Sequence, residues 1–218
     1  MIWLHNLEKR YGHEGKEKEV LRKTNLLIPT GLCVGVMGEK GSGKSTLIKL
    51  IAGAETPSSG EALMEGSFFW SGGVSAVLHP LLTVEQNIRF LCRLYSSDDR
   101  EMHEMVERIV ELAALEEFRT VIWKKVPSTH KSLLGYAAMI VLEVDNLLID
   151  GSPAPKKAPH LVEGIREKIR RTTTMMVSNS TKILKEYCDA ALIVHNRSIR
   201  YFDSVEEAIR YQKNERET

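Results

Sequence analysis

Residues Gly38, Glu39, Lys40, Gly41, Ser42, Gly43, Lys44, Ser45 and Thr46 read GEKGSGKST and match G-x-x-x-x-G-K-[ST] at every fixed position. Glycines at this spacing let successive backbone N–H groups close around phosphate oxygens. A helix that starts at the end of the run adds the partial positive charge of its N-terminus. Lys44 then reaches the β- and γ-phosphates of a nucleoside triphosphate, the Ser45 hydroxyl ligates Mg²⁺, and Thr46 contacts the α-phosphate side. A magnesium ion held this way needs an acid from the neighbouring strand. Leu147-Leu148-Ile149-Asp150 supplies an aliphatic run with a carboxylate at its C-terminal end, where ligands sit in open parallel sheets. Asp150 is therefore the candidate metal group beside Ser45; its plainer alternative is a cap on a structural strand.

The elements that must hold these residues follow from hydrophobic pattern and turn chemistry. Segments 2–7 and 20–28 read as strands around a polar hairpin tip rich in Gly and Lys, and 32–37 as a short strand running into the loop. A helix is expected over 43–51, and short strands over 61–64, 67–70 and 74–78. The middle of the chain changes character. Thr83 with Gln86, and Asp98 with Glu101, mark two helix starts over 83–95 and 98–114, each with an apolar stripe. Residues 131–144 and 157–171 read as helices, 146–150 and 173–177 as strands, and 181–188 as a helix. Segments 190–195 and 198–202 form a hairpin about Asn196-Arg197. Ser204 caps a last helix, with a frayed tail over 213–218. Strands alternating with helices point to an α/β core, with a helical lobe inserted in it.

Composition narrows the classes. The chain has 218 residues and a formal net charge of +1, so no broad attraction to nucleic acid or acidic lipid is implied. The three cysteines (Cys33, Cys92 and Cys188) are scattered. Their spacing forms no metal-ligand or redox pair, and buried thiols in a reducing compartment are expected. The N-terminus carries no secretory apolar region, and the longest apolar stretch, 133–142, is too short to span a bilayer. Membrane association would therefore be peripheral, through a partner.

The ordered segments resemble the ATP-binding subunit of an ABC transporter, of the type that drives capsular-polysaccharide, O-antigen or teichoic-acid export. They are NLEKRY (6–11), IPTG (28–31), LIAGAETPSSG (50–60), LLTVEQNIRFLCRLY (81–95), MMVSNS (175–180) and LKEYCDAALIV (184–194). The resemblance covers nearly the whole chain. It implies a P-loop NTPase core of the ABC ATPase type with an antiparallel β lobe and a helical lobe. One nucleotide-binding domain would span 1–218, with its core at 1–82 and 146–218 and its helical lobe at about 83–145. It implies ATP and Mg²⁺ as ligands, a membrane-spanning permease as partner, and a homodimer or a heterodimer with another ATPase subunit. The location implied is the cytoplasmic face of the cell membrane. No nucleic-acid partner is expected, since there is neither a coiled-coil insertion nor a basic groove signature.

Carried over position by position, the family pattern places Tyr11 as the aromatic that stacks on adenine; a Tyr packed at a strand end is the alternative. Lys44, Ser45 and Asp150 match the phosphate and magnesium groups. The remaining positions depart. The Glu that polarises the attacking water falls at Gly151, which has no side chain to take a proton. The switch histidine falls at Asn179, which donates a hydrogen bond but carries no charge. The glutamine falls at His79. The signature motif falls at 126–130, where Pro127 lacks both a hydroxyl and an N–H. The acidic loop becomes the proline-rich, basic SPAPKK (152–157). The nearest acid after Asp150 is Glu163, and His160 and His195 are the remaining candidate substitutes for the lost groups.

Three functions follow. The first is an exporter subunit that binds Mg-ATP with weak or absent hydrolysis, and regulates or clamps the transporter, with Leu81, Leu82 and Phe90 as its docking surface. The second is a fully active transport ATPase of the same family. The third is a soluble P-loop protein not linked to transport. Neither an Asn-Lys-x-Asp base-reading motif nor a cluster of lid arginines supports the third.

Overall fold

A computed structural model describes residues 1–12, 16–153 and 158–217. The first elements are β1 (Ile2–Tyr11), β2 (Lys18–Ile28), β3 (Cys33–Met37), α1 (Lys44–Ile51), β4 (Ser59–Met64) and β5 (Phe68–Trp70). There follow α2 (Val74–Val77), α3 (Val84–Arg93), α4 (Asp99–Leu112), α5 (Ser128–Val141), β6 (Asn146–Asp150) and α6 (Val162–Arg171). The chain closes with β7 (Thr173–Val177), α7 (Thr181–Tyr187), β8 (Ala190–His195), β9 (Ser198–Phe202) and α8 (Val205–Glu217). It divides into two compact units: Met1–Phe68 with Asp145–Ser152 and Ile169–Thr218, and Phe69–Val144 with Pro153–Lys168.

The first unit holds two sheets. One is antiparallel, in the order β2-β1-β4. In the other the strands of this unit run β6-β7-β3-β8-β9, parallel except for the last pair. Every residue of β3 and β7 is buried, as are the first four of β6. Strands covered on both faces need apolar runs, which CVGVM, the MMV of β7 and the LLI of β6 supply. The register sets Asp150 opposite Val177, and Val177 opposite Val36, so the parallel strands reach one common C-terminal edge. The β8–β9 hairpin turns through Asn196 and Arg197, both at positive φ (46° and 67°), the backbone that a tight two-residue hairpin demands.

The second unit is helical. Thr83 caps α3: its hydroxyl accepts from the Gln86 N–H at 3.2 Å, and the Gln86 side chain accepts from the Thr83 N–H at 2.9 Å. Asp98 caps α4 through the Glu101 N–H at 2.8 Å. The stripe Val84, Ile88 and Leu91 is buried, as are Met102, Met105, Val106, Ile109 and Val110. Each such side chain contributes about 1.5–3 kcal/mol relative to exposure, which holds these amphipathic helices together.

Three expectations are corrected. Residues 74–78 are not a strand: α2 is a single helical turn entered from a 3₁₀ turn over Ser71–Gly73. A window of five residues is too short to tell period 2 from period 3.6. The segment expected to fray from 213 continues as part of α8 to Glu217, with neither Gly nor Pro to stop it. The helix expected from 157 starts at Val162, after a 3₁₀ turn over Pro159–Leu161. Residues 13–15 of the hairpin tip and 154–157 of SPAPKK lie outside the described residues. No helix among the described residues is long and apolar enough to cross a membrane.

Candidate functional site

β3 delivers the chain to Gly38 at the C-terminal edge of the parallel sheet. Gly38 sits at φ 144°, and a Cβ there would lie 2.4 Å from the Val194 carbonyl oxygen and 2.7 Å from Ser42 Oγ. Only glycine fits between the loop and β8 at this point. Ser42 N–H donates to the Glu39 carbonyl at 3.2 Å, turning the chain back, and α1 begins after Gly43. α1 has no acidic residue in its first turn, so the positive end of its dipole faces the loop uncompensated.

Lys44 is buried, and its Nζ donates to the Gly38 and Glu39 carbonyls at 2.9 and 2.7 Å. The ammonium thus braces the concave loop from within. Burial pushes its pKa down, while the Asp150 and Glu39 carboxylates oppose that shift. Ser42 Oγ is buried and has no hydrogen-bond partner among the described residues. A glycine-walled curve, an internal cation, a helix N-terminus and an unused hydroxyl are the donor set that a polyphosphate needs. These residues fit the group that the sequence pattern implies.

Asp150 ends β6 at the same edge, exposed, and its charge acts on Lys44. Ser45 and Thr46 occupy the first turn of α1. The Tyr11 hydroxyl lies 3.4 Å from Thr46 Oγ1, which brings the end of β1 beside the loop. Tyr11 is 41 % exposed, with Lys9 Nζ 4.8 Å from its ring centre. Its pKa is raised, first by burial and then by the hydrogen bond to Glu55.

The structure also places the positions that the resemblance would link to hydrolysis. Gly151 has φ 118°, and its N–H donates to the Val177 carbonyl at 3.0 Å. A Cβ built there meets nothing within 4 Å. The position has room for a side chain but a backbone that L residues rarely adopt. Asn179 follows β7 and lines a cavity of ≈ 270 Å³ with Gly38, Glu39, Lys40 and Gln212. In the second unit, His79 donates its N–H to Asn87 Oδ1 at 2.7 Å, and its Nδ1 accepts from the Leu81 N–H at 3.3 Å. The segment 126–130 lies at the start of α5, with Pro127 at the N-cap and no side-chain cap bond. His130 packs on the Phe118 ring, 4.8 Å between centroids. His195 faces Glu215 at 3.6 Å, and His160 Nε2 lies 3.4 Å from the Leu112 carbonyl.

Sequence reasoning passed over three features. Gln212 of α8 shares the cavity with Asn179 and the loop, and nothing local marks it. Asn87 is 1 % exposed; besides its bond to His79 N–H, its Nδ2 donates to the carbonyls of His79, Leu82 and Thr83 at 3.0, 3.3 and 3.1 Å. Its signal was an amide on the apolar face of α3. The third is a correction: the cysteines are not all apart. Cys33 Sγ and Cys188 Sγ are 3.4 Å from one another, though 155 residues separate them in the chain.

A parallel sheet with this loop at its carboxyl edge defines a P-loop nucleotide-binding domain. The family model described as "ABC transporter" matches residues 21–152. The chain is 32% identical over 216 residues to the polysialic acid transport ATP-binding protein KpsT of Escherichia coli, covering 96% of this chain and 97% of that one. It is 31% identical to the ATP-binding protein BexA of Haemophilus influenzae, covering 97% of each. Among solved structures it matches the dimeric post-hydrolysis state of an ATP-binding cassette bound to ADP and Pi. There the TM-score is 0.76 at 18% identity, over 94% of this chain and 99% of that chain. The chain belongs to the ABC transporter family, and its fold is that of the ABC ATPases.

Proposed function

We propose that this chain is the ATP-binding subunit of a bacterial polysaccharide exporter, and that it binds Mg-ATP while hydrolysing it weakly or not at all. Lys44, the loop backbone and the N-terminus of α1 would hold the phosphates, and Tyr11 the base. Ser45 and Asp150 would hold Mg²⁺, which when bound supplies positive charge to the β- and γ-phosphate oxygens. Similarity over nearly the full chain to KpsT, a polysialic acid transport ATP-binding protein, supports the exporter class. Partners in this reading are a membrane-spanning permease and a second ATPase subunit, identical or different, at the cytoplasmic face of the cell membrane.

The docking surface for the permease would be the apolar group Leu81, Leu82, Phe90 and Leu94, which are 67, 37, 51 and 57 % exposed in the second unit. Segment 79–83 that carries two of them is tied by Asn87 and by Trp123 N–H donating to the Leu82 carbonyl at 2.8 Å. Exposed apolar side chains that form one contiguous patch would mark an interaction surface.

The observation that carries weak hydrolysis is Gly151 at φ 118°. The site lacks a carboxylate there, and its backbone conformation disfavours one. Absence of a general base costs ~10²–10⁴ in rate. The test is equilibrium Mg-ATP binding and turnover by the purified chain, alone and with its permease. Tight binding with turnover far below ordinary transport ATPases supports the reading. Ordinary turnover that Asp150→Asn abolishes favours the fully active ATPase instead.

A further inference from the structure

We propose that Cys33 and Cys188 are a redox-closable pair, joined as a disulfide when the protein meets a peroxide. The two sulfurs lie 3.4 Å apart in the first unit. Their backbones are already fixed next to one another. Cys33 N–H donates to Asp189 Oδ2 at 2.9 Å, and Asp189 N–H donates to the Cys33 carbonyl at 2.8 Å. Closing a disulfide requires about 2.05 Å between sulfurs, so the two side chains must draw closer. Gly35 leaves the space for it, since a Cβ there would lie 3.3 Å from Cys188 Sγ.

The two thiols differ in access. Cys33 is buried at the first residue of β3, and Cys188 is half-buried at the C-cap of α7. Cys188 is therefore the sulfur that meets the oxidant. Its thiolate attacks a peroxide oxygen; an S–O bond forms, the O–O bond breaks, and water leaves. Cys33 sulfur then attacks the Cys188 sulfenic acid; the S–S bond forms, the S–O bond breaks, and a second water leaves. Two thiols are oxidised, one hydrogen peroxide is reduced to two waters, and both thiol protons end in water. The hydrogen bond with Cys188, and then burial, raise the Cys33 pKa, so the buried Cys33 thiol is a poor first nucleophile.

The bond would join the strand that carries the phosphate loop to the end of the helix that follows Asn179. Closing a chain segment of this length restricts the unfolded state strongly. The oxidised protein is thus a stapled and more heat-resistant form of the same core, reversible by thiols.

The experiment treats the purified full chain with hydrogen peroxide in slight molar excess. It maps tryptic peptides by mass spectrometry without reductant, and records thermal unfolding. The expected result is a Cys33–Cys188 linked peptide, two hydrogens lighter than its parts and lost on adding dithiothreitol. A rise of about 5–10 °C in the unfolding midpoint should accompany it. Cys33→Ser and Cys188→Ser should each abolish the link and the rise, while Cys92→Ser should keep both. If either single variant fails to fold, the wild-type peptide map alone decides. Sulfenic or sulfinic acid on Cys188 without the link, a link through Cys92, or disulfides between molecules would each overturn the proposal.

Discussion

The phosphate loop and the end of β6 both turn on glycine at the same sheet edge, and the two glycines do opposite things. At Gly38 the missing Cβ is required, because Val194 and Ser42 crowd the position. At Gly151 the space is open and only the backbone angle favours glycine. The first glycine brings backbone close to where phosphate would sit. The second stands where the resemblance would place the proton acceptor. Binding and splitting a triphosphate depend on different groups, and in the proposed reading this chain keeps one set while the other is substituted.

The sharpest way to break the contrast is Gly38→Ala. A methyl 2.4 Å from a backbone oxygen has no soft neighbour to displace. Denaturant unfolding should show a loss of about 2–4 kcal/mol, the range of overpacked or strained sites. Lys44→Ala should leave the fold but remove charge-assisted bonds worth about 1.5–3 kcal/mol each. Calorimetry should then report Mg-ATP affinity weaker by roughly 10- to 100-fold. Gly151→Glu tests the other glycine. Strain of about 1–2 kcal/mol should appear in stability, with ATP affinity unchanged and hydrolysis raised less than about tenfold. A gain of ~10²-fold or more would mean that the backbone at 151 relaxes freely, and the contrast would be lost. Thr83→Ala removes one half of the capping box and should cost about 1 kcal/mol, read as a drop of about 2–4 °C in the unfolding midpoint. Phe90→Asp should change stability by no more than about 0.5 kcal/mol, as exposed substitutions do, yet abolish co-purification with the permease.

Much of this was legible in the chain. The strands 146–150 and 173–177 and the hairpin about Asn196-Arg197 agree with the observed β6, β7 and β8–β9 bounds. Apolar runs ended by turn residues leave little choice there. Thr83 and Asp98 were legible as caps because capping is local chemistry. What lies between distant segments was not. The Cys33–Cys188 approach spans 155 residues, and only the strand order β3-β8 brings it about. Gln212 beside Asn179 depends on how α8 packs in the first unit. At Gly151 the letters tell only that glycine stands where the resemblance would expect a carboxylate; the φ of 118°, which explains why a simple replacement would be strained, is a tertiary property.

Single-turnover cleavage of ATP by the chain assembled with its permease, with bound nucleotide quantified in parallel, tests binding against splitting most directly. The expected result is stoichiometric Mg-ATP occupancy, with cleavage slower by ~10²–10⁴ than a well-placed general base allows. Cleavage at the ~10 s⁻¹ typical of enzymes, lost in Asp150→Asn at unchanged occupancy, would contradict it.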